Sequence, residues 1–389
     1  MNLENTKIAY QSKSVKELKK GLFIFKLFQY SFLVTLGKTL VKIFIPLHLP
    51  LPKLVKKTIF KQFCGGENEN EVLLLLSQLA KFNIDSCIHH AAENIATEKE
   101  RADSFERFLE LLDLGGKNKS FTFSVIKPTS LGSTELYEKV TAGGSLSAVE
   151  REEWRQIKKR FQLCCKKAIS NNIKLLIDAE ESWFQKAIDE LLEELMLQFN
   201  KSQVWIYTTI QMYRHDRLVY LNRLLRVAKD HHCIMGIKLV RGAYLEKENE
   251  YALNKGIPSA LFPTKSETDK NFELGLQLIL ENVNHCSLFL GSHNEKNVLQ
   301  TVAFMKKNQL INKHPRVFFS QLYGMCDHIS FNLAEHGFNV VKYVPYGQFK
   351  QVIPYLIRRI DENSSVMSQS VRELELYKKE LERRYSETT

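Results

Sequence analysis

The sequence predicts an α/β protein, a TIM-like (β/α)8 barrel with an N-terminal helical arm and a C-terminal helix. Three observations carry that expectation. Eight short apolar runs alternate in series with long amphipathic segments, the pattern of parallel strands joined by crossover helices. The count favours a closed barrel over an open sheet. An open doubly wound sheet is the alternative, but its usual Gly-rich first turn is missing: no G-x-G-x-x-G or Walker pattern occurs.

The arm, residues 1–65, carries a strongly apolar stretch from Leu22 to Ile45 that Lys26, Lys38 and Lys42 interrupt. Its uncharged piece, Leu27 to Gly37, is about half as long as a membrane-crossing helix. Two readings follow: a buried helix, or one lying in a membrane interface with its lysines among headgroups. Phe63-Cys64-Gly65-Gly66 and the polar residues after it end the arm. Strands are expected at Asn83–Ile88, Phe121–Ile126, Ile173–Ile177, Val204–Ile210, Ile234–Val240, Ser287–Gly291, Val317–Leu322 and Asn339–Val344. Helical patterns between and after them include Glu181–Phe199, His215–His231, Asp269–Val283, Glu295–Lys307 and Gln348–Asn363. The barrel domain is therefore expected over 66–365. A charged helix, Ser370 to Arg384, falls within the remaining segment, 366–389.

Composition narrows the function classes. A chain of 389 residues with 44% hydrophobic and 25% charged residues reads as a globular protein. The net charge of +11 permits an anionic partner such as a membrane surface. It is not gathered into a nucleic-acid stripe, and basic residues do not interleave with aromatics in any recurring module. Seven cysteines without C-x-x-C or framework spacing point to reduced thiols and a cytoplasmic address. Metal ligation is not expected, because His89-His90 and His231-His232 are adjacent doublets whose side chains diverge. The first residues lack the order of a signal peptide.

Catalytic groups of a barrel belong at the C-terminal ends of its strands. Those ends are polar here: Lys127, Asp178-Ala-Glu-Glu181, Gln211-Met-Tyr213, Lys238 to Tyr244, Ser292-His293-Asn294, Gln321 to Gly324, and Tyr343 before Pro345. Any one of them could be a helix cap, Asp178 and Asn294 above all. Convergence of seven such ends on one mouth argues for a site. Beyond the eighth strand, Tyr355, Arg358, Arg359 and Glu362 stand at i, i+3, i+4 and i+7, one face of a helix. Such a face is either a solvated amphipathic surface or a guanidinium clamp for a small carboxylate with an apolar body.

The segments Asp178-Ala-Glu-Glu181, Lys238-Leu-Val-Arg-Gly-Ala-Tyr244, Ser292-His-Asn294, Leu322-Tyr-Gly-Met325 and Tyr355 through Asn363 occur in that order. Together they resemble the signature blocks of the proline dehydrogenase family, over roughly Ile84 to Ser365. The resemblance implies a distorted (β/α)8 barrel of the monofunctional type. It also implies FAD-dependent oxidation of L-proline to Δ1-pyrroline-5-carboxylate, by hydride transfer to flavin N5, as the first step of proline catabolism. Gln211, Lys238, Val240, His293 and Glu362 would contact FAD; Lys238 departs from one branch of the family, which carries arginine there. Arg358, Arg359 and Lys127 would hold the substrate carboxylate, with Asp178 orienting Arg358. Tyr244, Leu322, Tyr343 and Tyr355 would wall the ring. In hydroxyproline-oxidising relatives a small residue replaces the tyrosine at 343, so Tyr343 implies a preference for proline. Glu93 would gate the site. A membrane quinone would take the electrons, and the arm would then be a peripheral contact on the inner face of the membrane. A cofactor-free aldolase barrel would instead want Lys127 or Lys238 as a Schiff-base lysine, leaving the arginine pair and the tyrosines without a purpose.

Overall fold

The computed structural model describes residues 1–30, 56–91, 95, 97–365 and 367–387; of residues 57, 358–365 and 367–370 it describes the backbone. Eight strands close into a barrel in sequence order: β1 (Ile84–His90), β2 (Phe121–Ile126), β3 (Lys174–Ile177), β4 (Ile206–Gln211), β5 (Met235–Val240), β6 (Cys286–Gly291), β7 (Val317–Leu322) and β8 (Val340–Tyr346). The strand pairs with a defined register are all parallel. Every residue of β4 and β8 is buried. A parallel sheet covered by helices is dry on both faces, so its strands read as continuous apolar runs without alternation.

The eight runs in the sequence match the eight strands; β2 and β7 keep their expected bounds, β3, β5 and β6 move by one residue at their starts, β4 lies one to two residues later, and β1 and β8 extend two residues further at their ends. Asn83, expected to start the first strand, adopts a left-handed φ of 56° and turns the chain into β1 instead. The strand then runs two residues further, through His89 and His90. In β8, Pro345 does not end the strand. It lacks an N–H, yet its carbonyl accepts the Gly65 N–H at 2.8 Å and it stands opposite His89 in the register. Tyr343, expected to end the strand, therefore lies inside it, opposite Cys87.

The chain forms two compact units, Asn94–Ser320 and Met1–Glu93 with Gln321–Thr389. In the first, β2, β4 and β6 contribute Phe123, Tyr207 and Phe289 to one aromatic group, with Phe123 at 5.7 Å from Tyr207 and 5.0 Å from Phe289. Tyr207 finds its place because β5 carries Gly236 beside it: a Cβ there would stand 2.2 Å from the Ile206 carbonyl oxygen and 2.8 Å from the tyrosine ring. Three helices of this unit, Glu98–Gly115, Ala148–Ser170 and Lys265–Glu281, start at Thr97, Ser147 and Thr264, each with a glutamate three residues on. All three close a capping box, satisfying the exposed N–H groups of the first turn.

In the second unit the arm helix Val15–Phe28 opens with the same device, Ser14 with Glu17. It buries Leu18, Gly21, Ile24, Phe25 and Phe28, a stripe at helical spacing, and leaves Lys26 exposed. The stripe packs on the C-terminal helix Met367–Ser386, where Tyr377 lies 5.7 Å from Phe25. Gly21 admits that ring, since a Cβ would approach it to 2.5 Å. Phe63 stacks on Phe28 and meets Phe25 edge-on. Over residues 22–28 the arm is thus a helix with one buried face, Phe23 and Lys26 remaining exposed; 31–55, with the rest of its apolar run, lie outside the described residues. Among the described residues no helix is long and apolar enough to cross a membrane. The cysteines are buried, and none is joined to another by a disulfide.

Phe25 is fully buried and Phe23, two residues earlier, is 53% exposed. Phe25→Ala is expected to lose about 3–5 kcal/mol and Phe23→Ala less than about 0.5 kcal/mol. Urea unfolding of the two variants checks this, and equal effects would contradict the packing of the arm.

Candidate active site

Lys127, Asp178, Gln211, Lys238, Val240, Tyr244 and His293 belong to the unit Asn94–Ser320. Lys127 follows β2 directly and caps the short turn Pro128–Ser130, with Ser130 Oγ donating to its carbonyl at 2.6 Å. Its ammonium lies 3.9 Å from Glu180 Oε1. Glu180 is buried, and its carboxylate accepts the N–H and the hydroxyl of Thr129, each at 3.0 Å. The residue stands in the Asp178–Glu181 block, so the block was visible in the sequence, but nothing in it distinguished Glu180 from a cap.

Asp178 follows β3 and extends its ladder by one bond, N–H to the Ile126 carbonyl at 2.9 Å. Its carboxylate accepts a hydrogen bond from Lys238 Nζ at 2.5 Å, so the structure brings together two residues that were expected in different roles. Lys238 sits inside β5 and is only 7% exposed. Between β3 and β5, β4 ends in Gln211, whose amide donates to the carbonyls of Ala179 and Glu180 at 3.3 and 3.1 Å. Gln211 Oε1 is buried and has no hydrogen-bond partner among the described residues. An unmet acceptor costs about 1–3 kcal/mol, which a ligand N–H would recover. An isoalloxazine ring offers such an N–H, together with carbonyl oxygens suited to a cation like Lys238. These residues fit a flavin.

Val240 ends β5 and its carbonyl accepts the Met212 N–H at 2.9 Å. The next residue, Arg241, ties this end down: it donates to Asp269 (2.7 Å), Ser292 (3.3 Å) and Asn297 (2.9 Å), and its guanidinium covers the Phe272 ring at 4.4 Å. No role was expected for Arg241, because its partners come from distant parts of the chain. Gly242 takes a φ of 134°, and a Cβ there would meet the Tyr213 ring at 2.5 Å. Tyr244 is half-buried where the helix Leu245–Lys255 begins, with Lys247 Nζ 5.6 Å from its ring centre. His293 is half-buried between Ser292 and Asn294, the latter capping the helix Glu295–Lys307.

Leu322, Tyr343 and Tyr355 belong to the other unit. Leu322 ends β7 and is partly buried; Tyr343 in β8 is buried. Tyr355, on the helix Phe349–Ser365, is buried in the cluster that holds Phe60 and Phe63 of the arm. His89 of β1 approaches both tyrosines, with ring centres 5.6 Å from Tyr343 and 6.3 Å from Tyr355. As half of an adjacent doublet that histidine carries no signal in the sequence, and its approach to the tyrosines follows from the extension of β1. Arg358, Arg359 and Glu362 continue the helix of Tyr355 at the expected spacing; their side chains lie outside the described residues, and Glu93 lies outside them altogether.

Comparison with known proteins gives these positions a family. A family model described as proline dehydrogenase matches residues 74–372. The carbapenem antibiotics biosynthesis protein CarD of Pectobacterium carotovorum is 33% identical, over 83% of each chain. Mitochondrial proline dehydrogenase 1 of Dictyostelium discoideum is 30% identical over 99% of this chain and 75% of its own length. Hydroxyproline dehydrogenase of Xenopus laevis is 29% identical over 96% and 88%. Among solved structures, proline utilization A of Bdellovibrio bacteriovorus inactivated by N-propargylglycine superposes with a TM-score of 0.71 at 23% identity, over 79% of this chain. The present chain spans 33% of that protein's length, and the likeness bears on the fold, a (β/α)8 barrel. On the extent of the family match, this chain belongs to the proline dehydrogenase family of oxidoreductases.

Proposed function

We propose that this chain oxidises L-proline to Δ1-pyrroline-5-carboxylate with FAD as cofactor and passes the electrons to a membrane quinone. The observation that carries the reading is positional. Lys127, Asp178, Gln211, Val240, His293 and Leu322 stand at, or within two residues of, the C-terminal ends of six different strands of a closed parallel barrel.

The reaction removes a hydride from the ring carbon next to nitrogen and needs the amine neutral. FAD, when bound, supplies the hydride acceptor. Gln211, Lys238, Val240, His293 and Glu362 hold the cofactor, and Asp178 restrains the Lys238 ammonium through its 2.5 Å bond. Arg358, Arg359 and Lys127 grip the substrate carboxylate, each charge-assisted bond contributing about 1.5–3 kcal/mol, and Asp178 also orients Arg358. Three cations around the substrate lower its amine pKa, which favours the neutral amine, its proton passing to solvent. Tyr244, Leu322, Tyr343 and Tyr355 exclude water from the ring, and Glu93 closes over it. The basic, apolar arm gives the chain a peripheral contact on the inner face of the membrane that holds the quinone. Co-sedimentation with anionic vesicles checks that contact: the full chain pellets with lipid, and a chain that stays in the supernatant removes the idea.

Tyr343 sets the specificity. It is buried, with its ring centre 5.6 Å from that of His89, and in this reading a tyrosine here, where hydroxyproline-oxidising relatives carry a small residue, excludes a ring hydroxyl. Steady-state oxidation with an artificial electron acceptor should give a higher kcat/KM for L-proline than for trans-4-hydroxy-L-proline, and Tyr343→Ser should narrow the ratio. Equal or greater kcat/KM on the hydroxylated ring in the wild type would overturn the assignment.

Glu180 couples the Lys127 end of the site to pH. Burial pushes its carboxyl from 4.5 up to about 7, against the pull of the Lys127 cation. Between those values the native chain keeps a proton that the unfolded chain has released, so this group lowers stability as pH rises through the window. Glu180→Gln removes the effect. Urea unfolding of both proteins at about pH 5 and about pH 8 should show the variant gaining on the wild type at the higher pH. A difference that does not change with pH contradicts the assignment.

A further inference from the structure

The loop after β7 is held by side chains that the proposed reaction does not use. Lys342, buried in β8, donates to the carbonyls of Met325 at 2.6 Å and Leu322 at 3.4 Å, and pairs with Asp327 at 2.8 Å. Lys13, from the arm, pairs with the other oxygen of Asp327 at 3.0 Å. Gln62, also from the arm, donates to the Gly324 carbonyl at 2.8 Å. Glu373, from the C-terminal helix, accepts the Cys326 N–H at 2.5 Å. The contact is close: Gly324 has a φ of 79°, and a Cβ on it would stand 1.9 Å from the Gln62 carbonyl oxygen. The loop is also bonded to the tyrosine of β8, since Tyr323 N–H donates to the Tyr343 carbonyl at 2.9 Å.

Asp327, Lys342 and Glu373 are all nearly inaccessible to solvent. Burial opposes the charge on Asp327, and Lys13 and Lys342 outweigh it, holding the carboxyl below its ordinary range. Buried ion pairs offset much of their attraction with lost hydration, so apolar residues of similar volume would serve stability as well. What charges add over apolar packing is a fixed geometry, and here the fixed object is a loop that begins with Leu322. The C-terminal helix reinforces the arrangement, because Arg384 donates to the carbonyls of Lys13 and Tyr10 at 2.7 and 2.8 Å.

We propose that the arm and the C-terminal helix belong to the substrate-positioning apparatus: Lys13 and Glu373, acting through Asp327 and the loop Leu322–Asp327, fix Leu322 and Tyr343 against the substrate ring. This rests on the reading of those two residues as the ring's wall. Lys13 and Glu373 are positioning residues, and a purely structural role for them would change the folded fraction without changing KM.

The test uses the full-length, FAD-loaded enzyme well below its unfolding temperature. Lys13→Met should raise KM for L-proline about tenfold while kcat per bound flavin changes less than about threefold. Lys13→Arg, which keeps the charge, should restore most of the KM. Glu373→Leu keeps the bulk and removes the acceptor of the Cys326 N–H; it should shift KM the same way, and it carries the test should Lys13→Met fail to fold. An active wild type whose KM is unchanged in the folded variants overturns the positioning role alone. A wild type that does not oxidise L-proline overturns the function reading and this inference with it.

Discussion

A parallel sheet closed on itself sends the C-terminal ends of all its strands to the same end of the barrel, and the site of this chain depends on that constraint. Residues far apart in sequence become comparable in position because each terminates a strand. The constraint also sets the composition: strands dry on both faces must be apolar throughout, so polar groups are displaced to the ends. Gly236 shows how little room the barrel interior leaves, since Tyr207 fits only where the neighbouring strand has no side chain.

The charges retained in the interior are informative for the same reason. Asp178–Lys238 and Lys127–Glu180 stand at or near strand ends, and the Lys13–Asp327–Lys342 group joins the arm, the helix after β7 and β8. Each gives up hydration, and none is needed to fill volume. Their common property is that each immobilises a long or mobile group: Lys238 through Asp178, the Lys127 turn through Glu180 and Thr129, the loop after β7 through Asp327. Preorganisation of this kind limits the motion of groups that must meet a ligand. Gln211 differs, because its Oε1 has no hydrogen-bond partner among the described residues. The other groups are held by the protein; in the proposed function this acceptor meets a donor of the flavin.

Much of the fold was legible because strand number and order follow from hydrophobic runs and their spacing. The boundaries at β1 and β8 were not. Pro345 reads as a breaker, yet it keeps its acceptor and remains in the strand, and β1 continues through two histidines. Among site residues, the strand-end positions of Asp178, Gln211 and Leu322 could be read from pattern alone. The pairing of Asp178 with Lys238 could not, because 60 residues separate them and either is a plausible cap or ligand by itself. Glu180 and Arg241 were hidden for the same reason: their partners are brought by tertiary structure. The arm was ambiguous as well. Its apolar and basic residues suit both a core and a lipid surface, and over Val15–Phe28 the packing on Tyr377 and Phe63 identifies the core face.

The proposed function stands on the joint action of a flavin and of the residues assigned to the proline ring and carboxylate. Anaerobic titration of the flavin-loaded protein with L-proline tests that most directly. The account predicts that the oxidised flavin absorbance bleaches as proline is added, with pyrroline-5-carboxylate formed in equal amount. A flavin band that L-proline leaves unchanged, or a purified protein that takes up no flavin, would contradict it.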